Sequence, residues 1–512
     1  MSTTIEDSPH YCMFIDGRSV DSSDRYRLIN PATNAPFATC AKGSEVDADS
    51  AVAAAKRSFQ RGDWKNLSGG ARANVLERVA DALEANGDDI ARTASIENGA
   101  PIRVSRGFAV DTPVAHIRHF ARLARDADQE TPVPEFGTSA QTAFIRKEPI
   151  GVCVGIVPWN APLTIAVWKA VPALAAGNSV VLKPDEKTPI GALALAELFH
   201  AAGLPSGCLN VVTGDGESVG AHLVSHPDVR MVSFTGSTAV GKQIMRRAAD
   251  DITRVALELG GKSANIVLDD AALDDAVDGA VWAFMLHAGQ TCESGTRLLL
   301  PDSLHDRFVE RLIERLRTIK IGNPLDPATD MGPVISESQR SQIRGHIESG
   351  VAEGVTLAYG GTIPEVSDFG DGFWLSPTVL TDVEPHMSVA NHEIFGPVLV
   401  VMRYSTDQEA IDLANASMYG LAAGVWSTDS ERALGVARQL EAGSVWINDW
   451  HNMTYHLPYG GYKQSGLGRE LGETALDEFM EVKAITMDSS GGAEPRSFAG
   501  VLSTPRTIQQ TG

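Results

Sequence analysis

The stretch that decides the fold reads GVCVGIVPWN at 151–160, VVLKPDE at 180–186, LNVV at 209–212 and MVSFTGSTAVG at 231–241. The apolar runs in it, Val152–Val157, Val180–Leu182, Leu209–Val212 and Met231–Phe234, read as buried strands. Between them, Ile190–Ala202, closed by Gly203, and Ala239–Ala249 read as helices. Four buried strands with helical crossovers predict a parallel sheet with helices on both faces, a sheet that binds nucleotides at the carboxyl ends of its strands. The run Cys153–Gly177 is long enough to span a bilayer and its only charge is Lys169. Pro158, Pro162 and Pro172 punctuate it, so strand, turn and buried helix account for it better.

Outward from this stretch, Ala71–Ala85 places Val75, Leu76, Val79 and Leu83 near one helical face, with Gly87 where a C-cap would sit. Glu130–Gly137 turns extended and proline-bearing, and Thr142–Arg146 reads as a short strand of a protruding hairpin. A second α/β section begins near Ser263. Its strands are expected at Ala264–Leu268, Arg297–Leu300, Val398–Arg403, Leu421–Trp426 and Ser444–Asn448, and its helices at Ser303–Arg317, Glu337–Gly350 and Ser430–Leu440. Ser489–Gly512 lacks periodicity and reads as a flexible tail.

A length of 512 residues invites two or three domains. The net charge of -22 repels phosphate backbones and anionic membranes, so neither nucleic acid nor membrane is expected as a partner. Cys12, Cys40, Cys153, Cys208 and Cys292 are odd in number and never form a CxxC, which suits a reducing compartment. Met1–His10 lacks the basic start and apolar run of a signal peptide, and a cytoplasmic location is expected.

Cys292 lies in AGQTCESGTR (288–297), flanked by glycines that let a backbone approach a ligand; it reads as a nucleophile or as a buried structural thiol. Glu258, in ELGGKS (258–263), ends the apolar run Val255–Leu257. It suits a general base that swings on two glycines, or a surface charge beside a turn. Two stretches compete for phosphate: GDG at 214–216 with Gly220, one residue too long for a dinucleotide fingerprint, and FTGSTAVG at 234–241, where Ser237 opens a helix. Lys183 and Glu186 stand where ribose hydroxyls would lie, or in an ordinary charged loop. Asn160 can donate to an oxyanion or cap a turn. His116 and His119, three apart, and His451 and His456 have no Cys or carboxylate at ligand spacing, so no catalytic metal is expected.

Taken together, PWN (158–160), KPDE (183–186), FTGST (234–238), ELGGKS (258–263), GQTC (289–292), EIFGPV (393–398) and PYGGYKQSGLGREL (458–471) stand in the order found in aldehyde dehydrogenases. The chain resembles that superfamily from about Gly17 to Ala484. The resemblance implies an NAD-dependent, hydrolytic enzyme that oxidises a small-molecule aldehyde through a cysteine thiohemiacetal and thioester. Cys292 matches the nucleophile, Glu258 the base of the deacylating water, Asn160 the oxyanion hole, and Lys169 a lysine counted with the catalytic set near the cofactor. Ile156, Pro158, Trp159, Lys183, Glu186, Phe234, Gly236, Ser237, Val240, Leu259, Gly260, Glu393 and Phe395 fall along the NAD cleft. NAD is preferred to NADP because Glu186 would repel a 2′-phosphate.

By register with the same motifs, Ala161, Trp168, Leu286, Thr291, Glu293 and Met453 line the substrate pocket. Ala161 and Met453 make it roomier and less caged than a pocket for betaine aldehyde, so an aromatic or medium-chain aliphatic aldehyde is expected. Semialdehyde-oxidising, CoA-acylating and catalytically silent members of the family are the alternatives, with a cysteine hydrolase a more distant one. The implied fold is α/β: a Rossmann-like NAD domain (1–129 and 149–259), an α/β catalytic domain (260–462) and a small β oligomerisation arm (130–148 and 478–488). Family members form homodimers or homotetramers, and one of these is expected.

Overall fold

The computed structural model describes residues 8–127, 130–134, 141–366 and 370–488, with Val501. The tail expected over 489–512 lies, Val501 apart, outside the described residues, as does part of the expected hairpin, 135–140.

The fold is α/β, built among the described residues on two open sheets and two small three-stranded sheets. The first sheet runs in the order Gly466–Leu467, Arg254–Glu258, Val229–Thr235, Val152–Val157, Ser179–Pro184, Leu209–Val211, Met13–Ile15, Arg18–Val20. Its five central strands are parallel and buried, as their uninterrupted apolar runs require. The chain starts at Val152–Val157, builds one way through Ser179–Pro184 and Leu209–Val211, then returns to the other side at Val229–Thr235. A topological switch therefore opens between Val152–Val157 and Val229–Thr235, where a parallel sheet offers a crevice to a ligand.

Pro162–Ala175 is buried at every position. A helix apolar on all sides must be covered on all sides, here by the sheet and by the helices Gly69–Ala85 and Thr112–Asp126. The Trp64 indole N–H seals one end by donating to the Leu174 carbonyl (2.9 Å). The suspected membrane run is therefore core, and no helix among the described residues is long and apolar enough to cross a membrane.

The second sheet is ordered Thr356–Tyr359, Thr378–Thr381, Val398–Tyr404, Arg297–Pro301, Ala264–Val267, Ala422–Trp426, Ser444–Ile447, parallel except at Thr356–Tyr359. Glu258 ends a strand of the first sheet and Ala264 begins one of the second, so the carboxyl ends of one sheet face the amino ends of the other.

One local reading needs correction. Gly87 is not a C-cap: Asn86 caps Gly69–Ala85 and Gly87 opens the next helix, Gly87–Asn98. Short strands near the N-terminus, for which no expectation was formed, also complete the sheets. Met13–Ile15 and Arg18–Val20 extend the first sheet, and His10–Tyr11, Arg25–Asn30 and Ala35–Ala41 form a sheet of their own. Thr131–Pro132, Gln141–Pro149 and Met480–Asp488 form a small antiparallel sheet, the last two paired along nine residues each.

Candidate active site

At the switch point, Pro158, Trp159 and Asn160 follow one strand and Gly236 and Ser237 follow its neighbour. Ser237 is the N-cap of Thr238–Ala248 and accepts from the Val240 N–H (3.3 Å), which aims the helix N-terminus at the crevice. The cleft there measures about 270 Å³. It is lined by Pro158, Trp159, Asn160, Gly236, Ser237, Leu259, Gly260, Cys292, Glu393 and Phe395, and also by Thr235, Gln339, Gln342, His346 and Ile394, which sequence reasoning missed.

The Trp159 and Phe395 rings meet edge to face at 5.2 Å. Glu393 accepts from the Gly261 N–H (3.2 Å), and burial pushes its carboxyl up to about 7. Further along, Lys183 is buried at its strand end, its ammonium destabilised by that burial, with Nζ 3.8 Å from Glu186 Oε2. Phe234 and Ile156 behave differently from expectation. The Phe234 ring is buried and tucked under Gly236, where an added Cβ would meet it at 2.5 Å, and Ile156 packs on the core. In the competing GDG stretch the Asp215 side chain caps Gly216–Gly220 through the Ser218 N–H (2.7 Å), and Gly214 and Asp215 line a neighbouring cavity of about 440 Å³ with Glu186.

Cys292 sits on the chain returning to the second sheet, just after three consecutive left-handed residues, His287 (φ 51°), Ala288 (φ 55°) and Gly289 (φ 71°). Such conformations are costly for side-chain-bearing residues and cluster at functional sites. At Gly261 an added Cβ would lie 2.6 Å from the Cys292 carbonyl, so the segment after Glu258 must pass the nucleophile loop without a side chain. The two glycines of ELGGKS thus answer to crowding, Gly260 against the Glu393 carboxylate and Gly261 against Cys292, where sequence reading invoked freedom to swing. The Asn160 amide donates to the Gln290 carbonyl (2.9 Å), which brings it to the same loop.

The sequence pattern of the aldehyde dehydrogenase family matches residues 19–485. The chain belongs to the aldehyde dehydrogenase family. It is 41% identical to a betaine aldehyde dehydrogenase of Bacillus subtilis (strain 168), over 94% of this chain and 98% of that one. It is likewise 41% identical to the NADP/NAD-dependent aldehyde dehydrogenase PuuC of Escherichia coli (strain K12), over 92% and 94%. Among solved structures, a betaine aldehyde dehydrogenase of Staphylococcus aureus in complex with NAD+ superposes with a TM-score of 0.92 at 38% identity, covering 99% of this chain and 98% of that one. This aldehyde dehydrogenase oxidises aldehydes with NAD.

The cleft fits that cofactor. It offers a helix N-terminus for a pyrophosphate and an unpartnered buried Thr235 hydroxyl beside Gly236, and beyond it Lys183 and Glu186, the latter lining a neighbouring cavity of about 440 Å³, present a lysine and a carboxylate for ribose hydroxyls.

Around the thiol of this aldehyde dehydrogenase, Cys292 Sγ donates to Glu293 Oε2 (3.2 Å) and lies 3.3 Å from the Tyr459 hydroxyl. Glu258 is buried against Gly460 and Glu470, with Oε2 unpartnered. Burial and then the Glu470 charge hold its carboxyl well above the ordinary carboxylate range, opposed by Lys169. Lys169 lies away from the expected cofactor contacts: it is fully buried and paired with Glu470, which also accepts from the Ser233 hydroxyl (3.4 Å).

The pocket positions divide. Trp168 packs at a tilt against Tyr459 (5.4 Å between ring centres) and donates its indole N–H to His116 Nδ1 (2.6 Å), and burial keeps His116 neutral. Met453, Ala161 and Cys292 pack on one apolar cluster, yet Ala161 lines a separate cavity of about 400 Å³ between helices. Leu286 opens onto a groove of about 490 Å³ with Phe108 and Trp282. The Thr291 hydroxyl is turned to Ser294 (2.6 Å), and the Glu293 carboxylate is spanned between Cys292 and His451.

The histidines are also less isolated than their spacing implies. His119, His456 and Glu473 bring ligand atoms within 4.8 Å of one another, as do His10, Cys12 and Asp21. Arg122, however, already donates to Glu473 and lies 3.4 Å from His119 Nδ1. Tyr459, Glu470 and His451 had no signal of their own in sequence, since each acts through a partner more than a hundred residues away.

Proposed function

We propose that Cys292 attacks the aldehyde carbonyl, that the Asn160 amide and the Cys292 N–H stabilise the oxyanion, and that Glu258 activates the water that releases the acid. The supporting observation is convergence: Cys292 touches Tyr459, Tyr459 lies in the field of both Cys292 and Glu258, and Asn160 reaches the residue two before Cys292. Bound NAD supplies the hydride acceptor. The protein's own residues position the sulfur, hold the oxygen of the thiohemiacetal and draw a proton from water once a thioester has formed. Lys183, Glu186, Ser237, Glu393 and Phe395 are the residues we assign to holding NAD. A carboxylate at Glu186 disfavours the 2′-phosphate of NADP.

For substrate, we infer an aromatic or medium-chain aliphatic aldehyde. Tyr459 beside the sulfur and Trp168 against Tyr459 offer aromatic faces, and Met453 packs on the same apolar cluster as Cys292. Betaine aldehyde is the second reading, favoured by the names of the relatives. NADH formation at 340 nm over a panel of aromatic, aliphatic, semialdehyde and betaine aldehydes, with NADP run beside NAD, decides both points. Cys292→Ala should abolish turnover on every substrate. A best kcat/KM for betaine aldehyde or a semialdehyde would overturn the substrate reading, and a kcat/KM with NADP equal to that with NAD would overturn the cofactor preference.

We further assign 1–129 and 149–259 to an NAD domain, 260–462 to a catalytic domain and 130–148 with 478–488 to an oligomerisation arm. Five free cysteines fit a cytoplasmic location, which fractionation against a periplasmic marker checks. No metal is assigned a role, because Arg122 already occupies the cluster at His119 and both His10 and Arg25 already engage Asp21 in the other; activity lost to a chelator and restored by zinc would contradict that.

A further inference from the structure

One buried chain of groups is left unused by this mechanism. Glu293, directly after the nucleophile, is 3% exposed, and its two oxygens face different partners. Oε2 accepts from the Cys292 thiol at 3.2 Å, and Oε1 lies 2.8 Å from His451 Nδ1. A carboxylate oxygen can only accept here, so Nδ1 carries the proton and the imidazole is fixed in that tautomer. His451 is itself buried, Nε2 has no partner, and its ring packs perpendicular to Trp282 at 5.2 Å.

We propose that Glu293, anchored by His451, sets the protonation state of Cys292 and holds the nucleophile as a hydrogen-bonded thiol in the free enzyme. Ionising the thiol would place two negative charges 3.2 Å apart in a buried site, whereas the thiol form satisfies both groups. The titratable and charged groups facing the sulfur act in the same sense, with one exception. Burial, Glu293 and Glu393 raise the thiol's proton affinity, and the Tyr459 hydroxyl alone lowers it. Glu258 faces the same cluster through Tyr459. Burial raises the Glu293 carboxyl, but the hydrogen bond from His451 opposes it and holds the carboxyl below its usual range. Glu293 touches the reacting sulfur and is a catalytic residue in that sense; His451 is a positioning residue. The consequence is a nucleophile kept quiet toward adventitious electrophiles and oxidants, since the thiolate is the reactive form.

The inference rests on Cys292 being the nucleophile, and the test separates the two. Iodoacetamide labelling of Cys292 in the full-length apo enzyme is followed by peptide mass mapping from pH 6 to 10. Wild type is compared with the near-isosteric Glu293→Gln, with His451→Phe and with the double variant, and turnover of Cys292→Ala is measured in parallel. Glu293→Gln should move the labelling profile down by about one pH unit, which is about a tenfold faster reaction at pH 7.5. His451→Phe should shift it in the same direction, because a buried Glu293 without its donor protonates, and the double variant should add nothing to Glu293→Gln. Unchanged profiles with an inactive Cys292→Ala would overturn this proposal alone, as would slower labelling in Glu293→Gln, which would make Glu293 a base for the thiol. An active Cys292→Ala would overturn the nucleophile itself. A merely structural role for the pair would alter the melting temperature without moving the profile.

Discussion

Glu258 is the residue on which turnover should depend most visibly with pH. Burial and the neighbouring Glu470 keep its carboxyl protonated well above the ordinary range. A base must be ionised to draw a proton from water, so hydrolysis-limited kcat should rise as pH climbs through that elevated value. Glu470→Gln removes the negative neighbour and leaves the Lys169 ammonium facing Glu258, so the acid limb of kcat against pH should move to lower pH. The same change strands a buried cation and should cost about 3–5 kcal/mol in urea unfolding. Glu258→Gln should lower kcat by roughly 10²–10⁴ while leaving the first burst of NADH intact, because only the second half of the reaction needs the base. A steady-state rate near wild type would remove Glu258 from its role.

Among the elements, the left-handed turn His287–Gly289 and the strand-to-strand bridge Leu259–Ser263 fix where the sulfur sits. In Gly289→Ala a Cβ would lie 2.2 Å from the Gly396 carbonyl at a positive φ, and in Gly261→Ala it would press on the Cys292 carbonyl. Each should destabilise by about 2 kcal/mol or more and lower kcat/KM by about 10²-fold, the scale of a displaced catalytic group. Gly345→Ala is the control. It sits on the exposed face of Glu337–Glu353 with nothing within 4 Å of the added Cβ, and should stabilise by up to about 1 kcal/mol with activity unchanged. Equal effects in all three would mean that the loop geometry does not govern the rate.

For the whole molecule, the arm is the part that the single chain leaves unfinished. Its two long strands pair with each other, yet Ile145, Val482, Ile485 and Met487 stay more than a third exposed. A two- to three-stranded sheet with apolar side chains in water is marginal by itself and is stabilised by cover. We expect a second copy to supply it. Light scattering should show a dimer or tetramer, and Val482→Lys with Met487→Asp should shift it toward monomer with the cleft residues untouched. A wild-type monomer would refute this.

Sequence alone determined the alternation of strands and helices, and it set PWN, FTGST and ELGGKS at the ends of strands of the first sheet. Those signals are local: apolar periodicity, Pro and Gly punctuation, and a Ser opening a helix all act within a few residues. Ser237 directly precedes Thr238–Ala248 and Glu258 ends Arg254–Glu258, so the local pattern reaches both, whereas Asn160 and Cys292 stand in the aperiodic stretches beyond Val152–Val157 and before Arg297–Pro301. Sequence reading misjudged Gly87 and was silent on the N-terminal strands, where back-to-back helices and short strands carry too little pattern to read. Only the tertiary structure decided which side chains meet. Lys169 finds Glu470 across 301 residues, Cys292 finds Tyr459 across 167, and Glu293 finds His451 across 158. Those pairings depend on how two sheets pack end to end and how aperiodic loops fold over the seam, and no local property of the chain encodes that geometry.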